Sequence, residues 1–171
     1  YRRFQVYTQR DLDNIPQLPQ LPEEIRFDMQ VVASVLPFRV NAYVLNELID
    51  WSRVPNDPIY QLTFPQRGML SERHFTRMAD LLRTGADKKL IQQVANEIRA
   101  ELNPHPAGQL QMNIPVDNQG MRLAGIQHKY RETVLFFPSQ GQTCHSYCTF
   151  CFRWAQFVGD KSLKIASTEA Q

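Results

Sequence analysis

All three cysteines of this chain lie in one stretch, TCHSYCTFCFRW, at residues 143–154. Cys144, Cys148 and Cys151 follow the spacing C-x3-C-x2-C, and Phe150 directly precedes the last of them. A short loop carrying three thiolates matches three irons of a cubane [4Fe–4S] cluster. The fourth iron then takes no ligand from the motif, and S-adenosylmethionine (SAM) offers it an amino and a carboxylate group. An electron from such a cluster would cleave the sulfonium C–S bond and give a 5′-deoxyadenosyl radical. An aromatic side chain at Phe150 would shield the cluster from water and pack near the adenine. The same thiolates also suit zinc, with His145 or His128 as fourth ligand, in a non-catalytic Cys3His module. Zinc sites more often present paired C-x2-C knuckles well separated in sequence, and this chain has no second knuckle.

Composition narrows the setting. Three cysteines cannot all pair, and neighbours this close make a poor disulfide staple, so a reducing, cytoplasmic compartment is expected. The net charge is +2, from 19 basic and 17 acidic residues scattered along the chain, which gives no case for nucleic-acid binding. No apolar run approaches the length of a membrane helix, and residues 1–15 have no apolar core like that of a signal peptide.

The elements that must position the cysteine loop read as a helical region followed by a strand. Residues 1–21 form an N-terminal extension, whose segment IPQLPQLP at 15–22 is expected to be extended and proline-stiffened. Residues 22–106 form a helical region. Pro22 suits the first position of a helix, Glu23 and Glu24 favour its positive end, and Pro37 stops it after about Leu36. Asn41 is placed to cap a second short helix with Leu45, Leu48 and Ile49 facing inward. Residues 53–68 read as turn-rich connection, because two prolines bracket Asn56-Asp57. Ser71 caps a third helix over 72–83 that Gly85 ends. Asp87 caps a fourth, in which Leu90, Ile91, Val94, Ala95, Ile98 and Leu102 keep helical spacing.

Residues 107–171 carry the chemistry. A loop-like stretch over 107–127 leads to ETVLFF at 132–137, a continuous apolar run that reads as a buried strand of a parallel sheet. The cysteines follow after one short loop, and KSLKIASTEAQ starts a helix. The expected class is α/β, a helical region and then one βα unit, which cannot close a sheet alone; the chain is expected to be the front part of a longer one. His74 is expected on a helix surface, His105 in a loop, and His145 either near a cysteine sulfur or in solvent. The stripe over 90–102 is helix packing, and Trp51 and Tyr43 anchor the N-terminal helices.

The stretches CHSYCTFCFRWAQFVG and HKYRETVLFF, with NAYVLNELIDWSRVPNDPIYQLTFPQ before them, resemble the lysine 2,3-aminomutase family of radical SAM enzymes. The resemblance covers roughly residues 22–165 and rests on three landmarks in order. It implies a partial TIM-like barrel with the cluster loop after the first strand, in keeping with barrel chemistry at the C-terminal ends of strands. It also implies an isomerase that uses SAM and pyridoxal phosphate to move an amino group from carbon 2 to carbon 3 of an amino acid, with flavodoxin or ferredoxin as reductant. Helices 22–102 would then be a cap or a homo-oligomer arm beside the barrel.

By the same resemblance Arg153, two residues past the last cysteine, binds the substrate carboxylate, for which a planar fork suits better than a lysine. His128, Lys129 and Tyr130 occupy the family's pyridoxal phosphate stretch. His128 and Tyr130 match it, Lys129 replaces an arginine, and Thr133 replaces a second one, with Arg131 nearby. These departures leave a second form of the reading, an enzyme of this family without pyridoxal phosphate.

Overall fold

Glu23 and Glu24 open the first long helix, where carboxylates meet the positive end of the helix dipole. The structure is a computed structural model that describes residues 4–102, 112–138 and 144–148, and in it this helix, α1, runs Glu23–Val35. Pro22 stands at its N-cap with extended backbone, one position before the place expected. Leu36 is already extended, as the residue before a proline prefers.

The N-terminal residues are folded into the core rather than extended. Strand β1, Val6–Thr8, pairs antiparallel with β2, Arg39–Asn41, in the register Tyr7 opposite Val40. Two 3-10 turns follow β1, at Gln9–Asn14 and Leu18–Gln20. Leu12, Ile15, Leu18 and Leu21 recur every third residue and are all buried. Side chains three apart eclipse in 3-10 geometry, so the prolines between them stiffen turns that present one apolar edge.

Asn41 does cap the next turn, its Oδ1 accepting from the Val44 amide at 3.0 Å. The turn over Val44–Leu48 is π-helical. Leu45 and Ile49 are buried, but the wider turn leaves Leu48 43% exposed, against the expectation that it faces inward. The connection expected over 53–68 contains a helix, α2, Pro58–Thr63. Asp57 Oδ1 accepts from the Tyr60 amide at 2.7 Å, and Oδ2 accepts from the Asp50 amide at 3.2 Å. The Asp-Pro pair that resembled a turn is a helix start, with an N-cap acceptor followed by a residue that lacks an amide proton to satisfy.

Helix α3, Glu72–Arg83, starts at Ser71, whose Oγ accepts from the His74 amide at 3.3 Å. It ends in a Schellman motif. The Ala86 amide donates to Leu81 O and the Gly85 amide to Leu82 O, with Gly85 at φ +64°, a conformation only glycine adopts cheaply. Helix α4, Lys88–Leu102, begins where Asp87 Oδ2 accepts from the Lys89 amide at 3.2 Å. Helices α1, α3 and α4 pack on one another. Phe75, Met78 and Ala79 from α3 and Val94, Ala95 and Ile98 from α4 are buried, while Leu90 is exposed. Arg99 Nε donates to Val35 O at 2.6 Å and ties α4 to the carbonyl end of α1.

His74 is buried, not on the surface. Its Nε2 meets Glu101 Oε2 at 2.9 Å, and Arg73 pairs with the same carboxylate. Trp51 anchors this region as expected: its Nε1 donates to Leu45 O at 2.8 Å, and its ring meets those of Tyr60 and Phe64 edge-on. Tyr43 is exposed, with its ring 5.4 Å from Phe4.

The described residues fall into two compact units, one of 4–102 with 145–148 and one of 112–138 with Cys144. In the second unit β3, Ile126–Tyr130, pairs antiparallel with β4, Thr133–Phe136, around the two-residue turn Arg131-Glu132. The ETVLFF run is therefore one arm of a hairpin, not a buried parallel strand. Val134 and Phe136 on β4 are 55% and 53% exposed, Leu135 is half-buried, and Phe137, just past the strand, is buried. The polar neighbour IQHKY supplies the paired strand through its backbone, which side-chain pattern does not announce. The described residues are thus mixed helix and antiparallel strand. No helix among them is long and apolar enough to cross a membrane. The helix expected at KSLKIASTEAQ and the loop around His105 lie outside the described residues.

Candidate metal centre

The cysteine segment 144–148 has no regular secondary structure, so its backbone groups must find partners elsewhere. Tyr147 finds two of them. Its amide donates to Leu62 O at 2.8 Å, and its hydroxyl donates to Pro37 O at 2.8 Å. His145 adds a third contact, with Nδ1 3.0 Å from Arg39 O. A carbonyl only accepts, so Nδ1 is the donor in this contact. The three acceptors stand where elements end. Leu62 lies in the last turn of α2, whose carbonyls lack helical partners, Pro37 follows α1, and Arg39 opens β2. Burial lifts the Tyr147 hydroxyl above the usual tyrosine range.

Cys148, next to this anchor, is exposed, and Cys144 is half-buried. Cys151, Phe150 and Arg153 lie outside the described residues. Among the described residues no three His, Cys, Asp or Glu converge to hold an ion, and the third cysteine is not one of those residues. As a donor set, three soft thiolates fit either an iron–sulfur cluster or zinc.

His128, Lys129 and Tyr130 all lie on β3. The pairing with β4 shifts register between Gln127 and Tyr130, so the strand is bulged where this triplet sits. The His128 amide donates to Asn113 O at 2.7 Å, and its Nε2 lies 3.4 Å from Arg131 O. Tyr130 is exposed. Arg131 belongs to the turn, not to a strand, and Thr133 opens β4.

Sequence reasoning passed over Tyr147, an unassigned position inside C-x3-C. The one signal it carries is an aromatic ring in an otherwise small, polar spacer. Elsewhere, a cavity of about 290 Å³ lies beside α1, lined by Leu12, Leu18, Met29 and Arg26; no residue of the cysteine segment lines it. No family model matches the chain, and no similar curated protein or solved structure is found.

Proposed function

We propose that this chain carries the cluster loop of a radical SAM enzyme of the lysine 2,3-aminomutase type, an isomerase that moves an amino group between carbons 2 and 3 of an amino acid. The observation that carries the reading is the C-x3-C-x2-C spacing of the chain's only cysteines. Support comes from the exposed Cys148 thiol on an anchored, irregular segment, a setting in which thiolates can wrap a metal group. In this reading Cys144, Cys148 and Cys151 hold a [4Fe–4S] cluster. When bound, the cluster supplies single-electron cleavage of SAM. Phe150 excludes water beside it, and the Arg153 guanidinium holds the substrate carboxylate as a bidentate pair. His128, Lys129 and Tyr130 hold pyridoxal phosphate. The departures at Lys129 and Thr133 favour, as a variant of the same reading, an enzyme of this type that does without it.

In the same reading β4 is the first strand of a partial TIM-like barrel. Among the described residues β3 pairs with one edge of β4, and the next strand of the barrel would take the other. A second reading is a zinc module of the three cysteines and His145. The His145 contact with Arg39 O favours it, because metal-bound histidines commonly donate their other ring N–H to a carbonyl.

Anaerobic reconstitution with iron and sulfide tests both. The expected product is brown, binds about four irons per chain, and changes its electron paramagnetic resonance spectrum on adding SAM. Cys144→Ala, Cys148→Ala and Cys151→Ala each lose most of the iron. A stable, full cluster in Cys148→Ala sinks the reading; a colourless protein with one tightly held zinc, lost in His145→Ala, replaces it with the second.

A further inference from the structure

We propose that Tyr147 and His145 are positioning residues that clamp the cysteine loop onto three main-chain carbonyls of the helical unit, Leu62, Pro37 and Arg39, and so hold Cys148 ready for its metal group. The inference rests on the reading that the cysteines bind a metal group, whether cluster or zinc. Three hydrogen bonds from two residues reach three carbonyls on two segments of the helical unit, α2 and the Pro37–Arg39 corner, at 2.8, 2.8 and 3.0 Å. The tyrosine hydroxyl is spanned to an acceptor 110 residues away in sequence, and the histidine ring to one 106 away. Contacts of that range order a loop that has no ladder of its own. Ordering in advance removes part of the entropy otherwise lost at binding.

Tyr147 directly precedes Cys148, so fixing its amide and its ring tip fixes the start of the Cys148 residue. The amide bond to Leu62 O sets the backbone, and the hydroxyl bond to Pro37 O sets the ring direction. The clamp also links two equilibria. A metal group that binds only the clamped loop stabilises the Pro37–Arg39 corner and α2, and loosening that corner weakens metal retention by the same factor.

The test uses the full chain, metal-free and reconstituted with iron and sulfide or with zinc. Tyr147→Phe keeps the ring and removes the hydroxyl. In the metal-free chain it should speed hydrogen exchange at the residue 147 amide about five-fold, the equivalent of about 1 kcal/mol. In the loaded chain, loss of metal to a chelator should quicken by about the same factor. Tyr43→Phe, at an exposed tyrosine of the same unit, should change neither rate. In the metal-free chain His145→Ala should speed exchange at 147 like Tyr147→Phe, and His145→Asn, which restores a donor near the Nδ1 position, should recover most of the loss.

An amide at 147 that exchanges in the wild type as fast as in an unstructured peptide overturns the clamp. So does a Tyr147→Phe chain that keeps its metal as long as the wild type. Exchange at 147 that is unchanged in the metal-free His145→Ala chain removes His145 from the clamp. A wild-type chain that takes up neither cluster nor zinc defeats the reading of the cysteines instead, and the exchange rate at 147 still decides the clamp.

Discussion

In residues 4–102, the Phe64 ring stacks on Tyr60 with centroids 5.0 Å apart and has Phe38 at 5.2 Å and Trp51 at 5.7 Å. In residues 112–138, Val134 and Phe136 stand more than half exposed on β4, and Met121 and Tyr130 are more open still. Both regions are rich in large apolar side chains; the first buries most of them, whereas in the second Phe137 is the large apolar side chain that is buried among the described residues. A helix or 3-10 turn brings side chains three or four apart onto one face, so a few short elements can enclose a common interior. A two-stranded ribbon has two faces and nothing within itself to cover either; alone it is marginal in water. The stability of the described structure is therefore concentrated in the helical unit, the unit on which Tyr147 and His145 are anchored.

The largest effect should come from emptying the centre of that unit. Phe64→Ala is expected to cost about 3–5 kcal/mol in denaturant unfolding. A loss below about 1 kcal/mol, the size of a typical single substitution, would mean that this aromatic cluster is not the load-carrying core and the contrast fails. Next comes Asp57, which is buried and accepts from the amides of both Tyr60 and Asp50. Asp57→Ala should cost about 2 kcal/mol, at the upper end for a helix cap because it strands two amides at once. Asp57→Asn should recover more than half of that loss, since asparagine also caps.

A smaller effect follows pH. The Glu101 carboxyl is held below its usual range by the hydrogen bond from His74, with Arg73 and Arg77 adding to it against the opposing effect of burial. Glu97 is lowered by its hydrogen bonds from Arg77 and Gln93. A carboxyl whose folded pKa lies below its unfolded value contributes its full stability above the unfolded value, about 4.3 for glutamate. That contribution falls away as pH drops through the lower folded value. The melting temperature of the helical unit should therefore decline below about pH 4.3, and Glu101→Gln should flatten part of the decline. Thermal melts by circular dichroism across this range would check it.

The smallest effect is expected on the hairpin. Phe136→Ser should change stability by no more than about 0.5 kcal/mol, because the ring is already half in water. A loss of about 2 kcal/mol or more in the same unfolding measurement would show that β4 is covered in solution, and would erase the contrast between the regions.

What could be read in advance follows the range of the interaction. The Ser71 cap, the Gly85 stop and the Asp87 start bound α3 and α4 where expected, because each acts on amides or carbonyls a few residues away. Asn41 capped its turn for the same reason. The Asp57-Pro58 helix start was legible too, but the flanking prolines made it look like a turn. His74 lies on a helix face that amphipathic spacing alone reads as a boundary, and only Glu101, 27 residues on, makes its burial tolerable.

By itself the sequence determined the chemistry on offer: three thiols at C-x3-C-x2-C, since ligand type and spacing are properties of the chain and need no fold. It also determined the helices whose caps and stripes are local. Only the tertiary structure decided that ETVLFF pairs antiparallel with IQHKY, because strand pairing joins backbone groups and the polar partner carries no apolar signature. Only the tertiary structure decided that Tyr147 reaches Pro37 and Leu62. Its acceptors are main-chain carbonyls, which every residue possesses, and their positions are set by where α1 and α2 end in space.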